Sequence, residues 1–394
     1  MGASRRVLVV GGGIGGMASA AAFGQRGMDV LLIEKRPEFT VPGVGLGQPA
    51  NALRVLGELG VLPQVIAAGF QYDSMRYFDY NRELIVEHKF LLGGPGLPAV
   101  CALSRSDLHD ILLDAALKVG VGIGLGTTAQ QMEQEGNRVH VVFNNGSSDE
   151  FDLVVGFDGI RSTTRIFAFG EAFEPIHSGY GAWRLQAPRP PEVDAMEFYQ
   201  GLGSKTGAMP LNDELMYLFH IRPEDPSEKL AREDYPRYLR ERLNGYGDHI
   251  AEVRDALGPD SDIVYSPLEP AILPPPWYSG RIVLGGDAAH TFPPHLTEGA
   301  GMALEDGLVL ADELSQDKPV EDMLDGYVQR RYARCAFVYT FSMQMLHSEQ
   351  MVRTHQQLDE ARRELKANGS ARIAASDRIL NLPVLPAKGA LLWR

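Results

Sequence analysis

A glycine-rich turn behind an apolar segment constrains this chain more than any other feature of its sequence. Residues 7–10 form an uninterrupted apolar run, which is typical of a strand buried in a parallel sheet. Gly11, Gly13 and Gly16 follow in a GxGxxG pattern, and small residues dominate positions 17–27. In such a pattern the first glycine permits a tight turn, the second lets the backbone approach a pyrophosphate, and the third allows close helix–strand packing. The pattern therefore predicts a strand, a phosphate-binding turn and a helix.

The next apolar run, residues 30–33, completes a βαβ unit and ends at Glu34. A carboxylate at this place accepts hydrogen bonds from a ribose and repels a 2′-phosphate, so it favours FAD or NAD over NADP. A purely structural glycine turn is the alternative. The residues of this unit that we assign to the dinucleotide are Gly11, Gly13, Ile14, Gly15, Gly16, Glu34, Lys35 and Arg36.

The rest of the chain alternates between strand–helix segments and short strands with interleaved aromatic residues. Ser106 is predicted to cap a helix that ends at residue 118. We predict an α/β protein in which a Rossmann-type lobe is interrupted by an antiparallel-sheet (α+β) substrate lobe and followed by C-terminal helices. The predicted boundaries are 1–71, 97–175 and 270–320 for the discontinuous dinucleotide-binding domain, 72–96 and 176–269 for the sheet domain, and 321–394 for the C-terminal helical segment.

Charge and composition limit the partners. The chain has 37 Lys and Arg against 51 Asp and Glu, a net charge of −14, which argues against nucleic acid or an anionic membrane as the main partner. It contains no apolar stretch long enough for a membrane span and no signal-peptide pattern. Cys101 and Cys335 are the two cysteines, too few for a disulfide framework or a zinc site. We predict a cytoplasmic protein without a metal ion.

Two further motifs place glycine and aspartate at strand ends. Asp158 and Gly159 follow an apolar run, and Gly286 and Asp287 follow another. The second motif continues through a proline pair into a helix that opens with glycines at 299–302. A carboxylate at a strand end suits a polyol chain, and the positive start of a helix suits a ring that becomes anionic.

Together, the three motifs resemble those of the single-component FAD-dependent aromatic hydroxylases, the p-hydroxybenzoate-hydroxylase-like flavoprotein monooxygenases. The resemblance runs from about residue 5 to about residue 330. It implies FAD as cofactor, NAD(P)H as transient co-substrate, and O₂. It also implies hydroxylation of a phenol, hydroxybenzoate, hydroxypyridine or similar ring through a flavin C4a-hydroperoxide. The further cofactor-binding residues that we assign are Gly47, Gln48, Arg105, Asp158, Gly159, Gly286, Asp287, Pro294, Gly299, Ala300, Gly301 and Met302.

The chain departs from the family pattern where the last helix of the motif begins. The family usually has Gly-Gln-Gly where this chain has Thr297-Glu298-Gly299, and often Asn at the position of Gly301. A carboxylate at 298 would stand near a region that should favour anions. Three alternatives follow: Glu298 points away, it is protonated, or the flavin has different electronic properties.

The resemblance implies that the antiparallel sheet covers the flavin and forms the substrate pocket. The substrate-binding candidates are Tyr180, Trp183, Arg184, Phe198, Met209, Phe219 and Pro293, with ordinary core packing or a salt bridge as the alternative. A base that removes the proton of a ring hydroxyl would assist hydroxylation. The candidates that we assign to this catalytic role are His295, Tyr217 and His220.

Other activities are compatible with the same motifs. The fold also supports epoxidation and Baeyer–Villiger insertion, and a non-catalytic FAD-bound redox sensor is a rival from another class. The expected partners are a small aromatic substrate and O₂, and the expected assembly is a monomer or homodimer.

Overall fold

Two sheets organise the computed structural model, which describes residues 5–39, 44–91, 94, 96–171, 173–228 and 230–385. The strands are β1 (Arg6–Val10), β2 (Asp29–Glu34), β3 (Gly45–Pro49), β4 (Phe70–Tyr72), β5 (Ser74–Phe78), β6 (Leu84–Lys89), β7 (Val100–Ser104), β8 (Gly122–Leu125), β9 (Ala129–Glu135), β10 (Arg138–Phe143), β11 (Ser148–Phe151), β12 (Leu153–Gly156), β13 (Tyr180–Pro188), β14 (Met196–Gln200), β15 (Lys205–Pro210), β16 (Leu215–Pro223), β17 (Val264–Pro267), β18 (Ala271–Ile272), β19 (Tyr278–Ser279), β20 (Ile282–Leu284) and β21 (His290–Thr291). The α-helices are α1 (Ile14–Gly24), α2 (Ala50–Glu58), α3 (Leu62–Ala68), α4 (Arg105–Lys118), α5 (Thr163–Phe169), α6 (Tyr235–Arg242), α7 (Asp248–Ala256), α8 (Gly299–Leu314), α9 (Val320–Gln350) and α10 (His355–Leu380).

The first sheet has six strands in the order β19-β20-β12-β1-β2-β8, and all its neighbours pair in parallel except β19 and β20. Strands β1, β12 and β20 are continuous apolar runs because helices cover the sheet. Helix α1 packs against both α4 and α8. The chain returns to this sheet after long excursions, as an interrupted Rossmann-type lobe requires, and the predicted fold class is confirmed.

The second sheet has seven strands in the order β17-β13-β16-β15-β14-β5-β6. Most neighbours are antiparallel, but β14 and β5 pair in parallel, so the predicted antiparallel sheet is in fact mixed. Strand β15, which the sequence pattern did not reveal, lies between β14 and β16. Its residues are buried on both sides, so it lacks the alternation that marks a half-exposed strand.

One predicted helix start is corrected by the structure. Ser104, not Ser106, is the N-cap of α4, since its hydroxyl accepts the Asp107 N–H at 3.0 Å. The C-terminal part of the chain forms two long helices, α9 and α10, and α10 packs on the edge strand β6. None of the helices in the described ranges combines the length and apolar character that crossing a membrane would demand.

Candidate functional site

Helix α1 begins at an open glycine turn. Among the described residues, no side chain caps this helix, whose N-cap is Gly13, and a methyl group built on Gly13 would meet nothing within 4 Å. Gly11 has φ +108°, and a Cβ on Gly16 would lie 1.9 Å from the Gly11 carbonyl oxygen. The turn therefore excludes side chains where the strand and helix meet, and the first N–H groups of α1 remain for an anion.

Glu34 stands beside this turn at the end of β2. Its carboxylate accepts the N–H of Gly12 at 2.9 Å and the N–H of Arg36 at 3.1 Å. These bonds hold the carboxylate at the place where a dinucleotide fold binds its ribose. Lys35 and Arg36 are exposed next to it.

A second polar cluster lies around the turn after β20. Asp287 is exposed, yet surrounding protein atoms partly desolvate its carboxyl group and thereby raise its pKa. Burial lowers the pKa of the Arg105 guanidinium, and the negative charge of Asp287 partly offsets this decrease. Tyr217 lies beside Arg184; burial raises its pKa, and Arg184 favours the phenolate. The structure thus brings Arg105, Arg184, Tyr217 and Asp287 together.

Asp158 has a local structural role. Its carboxylate accepts the Ser162 hydroxyl at 2.5 Å, the Thr164 N–H at 2.9 Å and the Thr163 hydroxyl at 3.2 Å. These bonds fix the start of α5, and Gly159 turns the chain there with φ +83°. Contacts of Asp158 and Gly159 with FAD stay a prediction.

The start of α8 explains the departures from the family pattern. Thr297 has φ +58°, a left-handed conformation that favours the usual glycine. Glu298 is buried and accepts the Asn51 amide at 2.9 Å. A Cβ on Gly301 would lie 2.7 Å from the Glu298 carboxylate, so Glu298 occupies the space that a larger residue at 301 would need. Burial, together with the nearby charge of Glu305, raises the pKa of Glu298 to about 8, so its carboxyl is mostly protonated at neutral pH.

Replacing Glu298 by glutamine should stabilise the protein at alkaline pH. The folded state keeps this proton and the unfolded chain loses it above about pH 4.5, so the stability of the parent falls between about pH 4.5 and 8. The slope from this group is at most about 1.4 kcal/mol per pH unit. Near pH 5, we expect Glu298→Gln and the parent to unfold at similar temperatures. At pH 8, the variant should unfold at a higher temperature than the parent. A constant difference across this range would contradict the assignment.

A cavity of about 480 Å³ lies next to this helix start. Its wall combines three parts of the chain: β3 with the turn before α8, the sheet face around β5 and β14, and helices α9 and α10. Representative residues are Gly47, Thr297, Phe198, Phe341, Leu365 and Ile373. Size and lining are those of a small-molecule site.

Three charged or titratable side chains from distant segments meet in the cavity wall. The Lys205 ammonium donates to Glu349 Oε1 at 2.6 Å, and His295 Nε2 lies 3.0 Å from Glu349 Oε2. Lys205 and His295 hold the pKa of Glu349 down at about 2, so it is a carboxylate. Burial lowers the pKa of His295, which is therefore neutral. Nε2 then carries the proton and donates to Glu349, and the buried Nδ1 has no hydrogen-bond partner among the described residues.

Sequence reasoning found His295 but missed Lys205 and Glu349. Lys205 belongs to the unrecognised strand β15, and Glu349 lies in a helix whose charged residues resemble those of an exposed face. Lys205 and Glu349 are 144 residues apart in the chain, and only their contact in the folded protein indicates a role for them.

The predicted substrate residues divide between the two faces of the sheet. Tyr180, Phe198, Met209 and Phe219 belong to the apolar cluster on the face that carries the cavity. Arg184 is also on that face by alternation along β13, and its guanidinium donates to the Ser266 hydroxyl. Pro293 is buried directly before the turn that carries Pro294 and His295.

The structure corrects the assignment of Trp183 and His220 to the site, because both lie on the face of the sheet opposite the cavity. Trp183 packs in the cluster beneath α6 and α7 and donates its indole N–H to Glu224 at 2.8 Å. His220 is opposite Trp183 in the register of β13 and β16, and its Nδ1 lies 2.9 Å from the Thr206 hydroxyl. Successive residues of a strand point to opposite faces, and a contiguous aromatic segment does not reveal which half faces the site.

A Trp183→Phe variant tests this correction. We expect KM and kcat to stay within about twofold of the parent values, because the indole is remote from the cavity. The free energy of unfolding should fall by about 1–3 kcal/mol, because the buried Glu224 loses a donor. Chemical denaturation and steady-state kinetics measure the two effects, and a selective rise in KM would restore Trp183 to the site.

A buried ionic network supports the turn that carries Asp287. Asp306 accepts the Gly286 N–H at 2.9 Å, His290 Nε2 at 2.7 Å and Arg331 Nε at 2.7 Å. Arg331 also donates to Glu305 at 2.5 Å. Despite burial, Asp306 and Cys335 raise the pKa of His290 to about 10, so two cations face two carboxylates. His290, Asp306 and Cys335 lie close enough together to hold a metal ion. The Arg331 guanidinium occupies this place instead, and its positive charge would repel a metal ion.

The chain's own residues fit an FAD molecule. The uncapped start of α1 with its open Gly13 suits the pyrophosphate, and Glu34 is held where a ribose would be. Helix α8 is a second helix start without a side-chain cap among the described residues, and space around Gly299 is open. Gln48 adds a buried carbonyl oxygen that no described residue satisfies. The donors and the open glycines suit the two ends of the cofactor.

Comparison with known proteins agrees with this geometry. Residues 4–342 match the family model FAD_binding_3, described as an FAD binding domain. YetM of Bacillus subtilis, which carries the provisional name FAD-dependent monooxygenase, is 33% identical over 346 residues, covering 87% of this chain and 93% of YetM. The 2-heptyl-3-hydroxy-4(1H)-quinolone synthase of Pseudomonas aeruginosa is 30% identical over 338 residues, covering 84% of this chain and 86% of the synthase.

Solved structures resemble this chain over most of its length. Klebsiella pneumoniae HpxO, complexed with FAD and uric acid, superimposes with a TM-score of 0.85 at 22% identity, covering 97% of this chain and 98% of HpxO. A tetrameric 2-methyl-3-hydroxypyridine-5-carboxylic acid oxygenase superimposes with a TM-score of 0.75 at 27% identity, covering 90% of this chain and 94% of the oxygenase chain. The predicted family, cofactor and enzyme class are confirmed. This chain belongs to the FAD_binding_3 family and is an FAD-dependent monooxygenase.

Proposed function

We propose that this protein hydroxylates an aromatic or heteroaromatic small molecule that bears an ionisable ring hydroxyl, using NAD(P)H and O₂. The observation that carries the proposal is His295, a neutral imidazole in the wall of a cavity beside the FAD site, whose Nδ1 has no hydrogen-bond partner in the described part of the chain. Relatives named for hydroxypyridine and quinolone chemistry support this substrate class.

The cofactor is held by the residues that fit it. The turn Gly11–Gly16 and Glu34 would hold the ADP half, Arg105 and Asp287 would hold the polyol chain, and the start of α8 would hold the ring. When bound, FAD would supply the redox chemistry that links NAD(P)H to O₂. The positive end of α8 stabilises negative charge at the neighbouring ring edge, and the protonated Glu298 leaves that field intact.

His295 and its partners handle the proton of the substrate. His295 Nδ1 takes the proton of the ring hydroxyl, which raises the electron density of the ring that is to be oxygenated. Glu349 fixes the tautomer and stabilises the imidazolium that forms, as a carboxylate behind a histidine does in other enzymes. Lys205 keeps Glu349 ionised. Phe198 contributes to the aromatic wall on the sheet side.

The decisive experiment couples NADH and NADPH oxidation to product formation. The purified FAD-loaded protein is offered phenols, hydroxybenzoates, hydroxypyridines and hydroxyquinolines under ¹⁸O₂, with mass spectrometry of the products. Gain of one labelled oxygen on the ring supports hydroxylation. Ring expansion or an epoxide instead supports the Baeyer–Villiger or epoxidase alternative. A protein that binds these compounds but oxidises neither nucleotide supports the redox-sensor alternative.

The assembly and compartment are part of the proposal. We propose a monomer or homodimer in the cytoplasm. Both cysteines are buried free thiols, which agrees with a reducing compartment. Light scattering on the FAD-loaded protein measures the assembly, and a tetramer would contradict it.

A further inference from the structure

We infer that the substrate carries an extended apolar substituent, such as an alkyl chain, that lies between the second sheet and helices α9 and α10. This inference rests on the proposed function and adds the substrate class to it. The aromatic ring would lie at the end of the cavity that holds His295, and the chain would occupy the part lined by the two helices.

The first argument is size. The cavity wall follows α9 from Phe341 to Glu349, eight residue steps that correspond to about 12 Å of helix, and it continues past the end of α9 to Val352. That length exceeds one aromatic ring with small substituents. The volume of about 480 Å³ is in the range of cavities that enclose drug-sized ligands, even though the flavin ring would take the part beside Gly47 and Thr297.

The second argument is the chemistry of the far end. Side chains from both helices make it apolar: Phe341, Met345, Leu358, Leu365 and Ile373. Such surface gains most from contact with hydrocarbon, and an unfilled apolar cavity lowers stability. A substrate with a long apolar group is therefore the occupant that this wall favours.

The third argument is charge. The charged groups of the far rim are already engaged: Arg372 pairs with Glu364 at 2.8 Å, and Asp377 accepts the Leu91 N–H at 2.5 Å. At the near end, Lys205 is paired with Glu349. Among the described residues that line the far end, none offers an unpaired positive charge to a carboxylate group, since Arg372 is already paired. The end of the substituent is therefore not an anion.

The test is a homologous series. Calorimetry with the FAD-loaded protein measures Kd for 2-alkyl-4-hydroxyquinolines and, separately, 3-alkylphenols with chains from methyl to nonyl. Each methylene buried in the cavity should lower Kd about three- to fourfold until the cavity is full. Turnover of the same compounds should show the same order in KM. A Kd that is flat or rises with chain length in both series overturns the inference.

Two substitutions locate the chain. Ala361 lies in the wall on α10, and Ala361→Phe should reduce the space between the two helices, so that the loss in affinity grows with chain length and reaches at least tenfold for nonyl. Ala367 is exposed on the same helix, and Ala367→Phe is the matched control that should keep the parent slope. Met345→Trp, from α9, replaces Ala361→Phe if that variant does not fold. Equal losses for all chain lengths would overturn the placement between the helices.

Failure of this inference can be told apart from failure of the proposed function. Hydroxylation of the methyl compounds without any chain-length effect refutes the apolar extension and keeps the function. Chain-length-dependent binding without NAD(P)H oxidation or oxygen transfer refutes the function and keeps the apolar site.

Discussion

A His295→Gln variant is expected to hydroxylate a phenolic substrate about 10²–10⁴ times more slowly than the parent protein. Glutamine keeps a polar group in the same space but cannot take a proton at neutral pH. The parent imidazole is ready to do so, because Glu349 holds the proton on Nε2 and leaves Nδ1 free. FAD content and the rate of NAD(P)H oxidation without substrate should change little. Coupled assays of NAD(P)H oxidation and product formation measure these quantities.

The pH profile of kcat distinguishes a base from a structural histidine. Glu349 raises the pKa of His295, whereas burial and Lys205 lower it. In the parent, activity should be lost as the pH falls through the pKa of His295, since the protonated ring is no longer a base. Glu349→Gln removes the anion, so the acid limb of its profile should move to lower pH, with a smaller loss of kcat than in His295→Gln. An unmoved limb would mean that Glu349 does not position or tune the imidazole.

His220→Gln provides the matched control for these two variants. His220 is also buried and hydrogen-bonded, but it lies on the opposite face of the sheet. It should retain the kcat and pH profile of the parent. If His295→Gln lost no more activity than His220→Gln, the base would have to be sought elsewhere, with Tyr217 as the remaining candidate beside Arg184.

The largest loss of stability is expected from Arg331→Met. Arg331 is fully buried and holds both Glu305 and Asp306, so its loss leaves two carboxylates inside the protein without their main cation. Removing one partner of a buried ion pair costs about 3–5 kcal/mol. Asp306 also holds the Gly286 N–H, so FAD retention should fall together with stability. Denaturant unfolding and the flavin absorbance that remains after gel filtration measure the two effects.

Arg334→Met is the control for the buried network. Arg334 donates to Glu305 at 2.8 and 2.9 Å, but its side chain is partly exposed and does not reach Asp306. We expect a smaller loss of stability and normal FAD retention. Equal effects of the two substitutions would mean that the Asp306 link to the turn before Asp287 does not support cofactor binding.

The cofactor side of this protein could be predicted because its chemistry is local in sequence. Gly11, Gly13 and Gly16 lie within six residues, so the GxGxxG pattern can be read directly from the sequence, and a side chain on Gly16 would meet the carbonyl oxygen of Gly11 in the same turn. Glu34 follows at the end of the next strand of the same βαβ unit. Such motifs keep their meaning wherever the unit is placed in a fold, and the family match followed from them.

The substrate side could be predicted only in part. The aromatic strands were located, but Trp183 and His220 were assigned to the wrong face, because alternation defines two faces without naming the one that meets the cofactor. Strand β15 was missed, since burial on both sides removes the alternation, and Lys205 was missed with it.

By itself, the sequence determined that this chain builds a dinucleotide-binding lobe, interrupts it with a sheet, and binds FAD; the contacts of the three glycine-containing turns with FAD stay a prediction. Only the tertiary structure decided that Lys205, Glu349 and His295 meet, that Glu298 is enclosed beside Asn51, and that α9 and α10 close a long apolar cavity. The physical reason is the distance along the chain between the residues that make each contact. Turns and helix starts are specified by neighbouring residues, whereas ion pairs and cavity walls depend on contacts between segments that folding alone brings together.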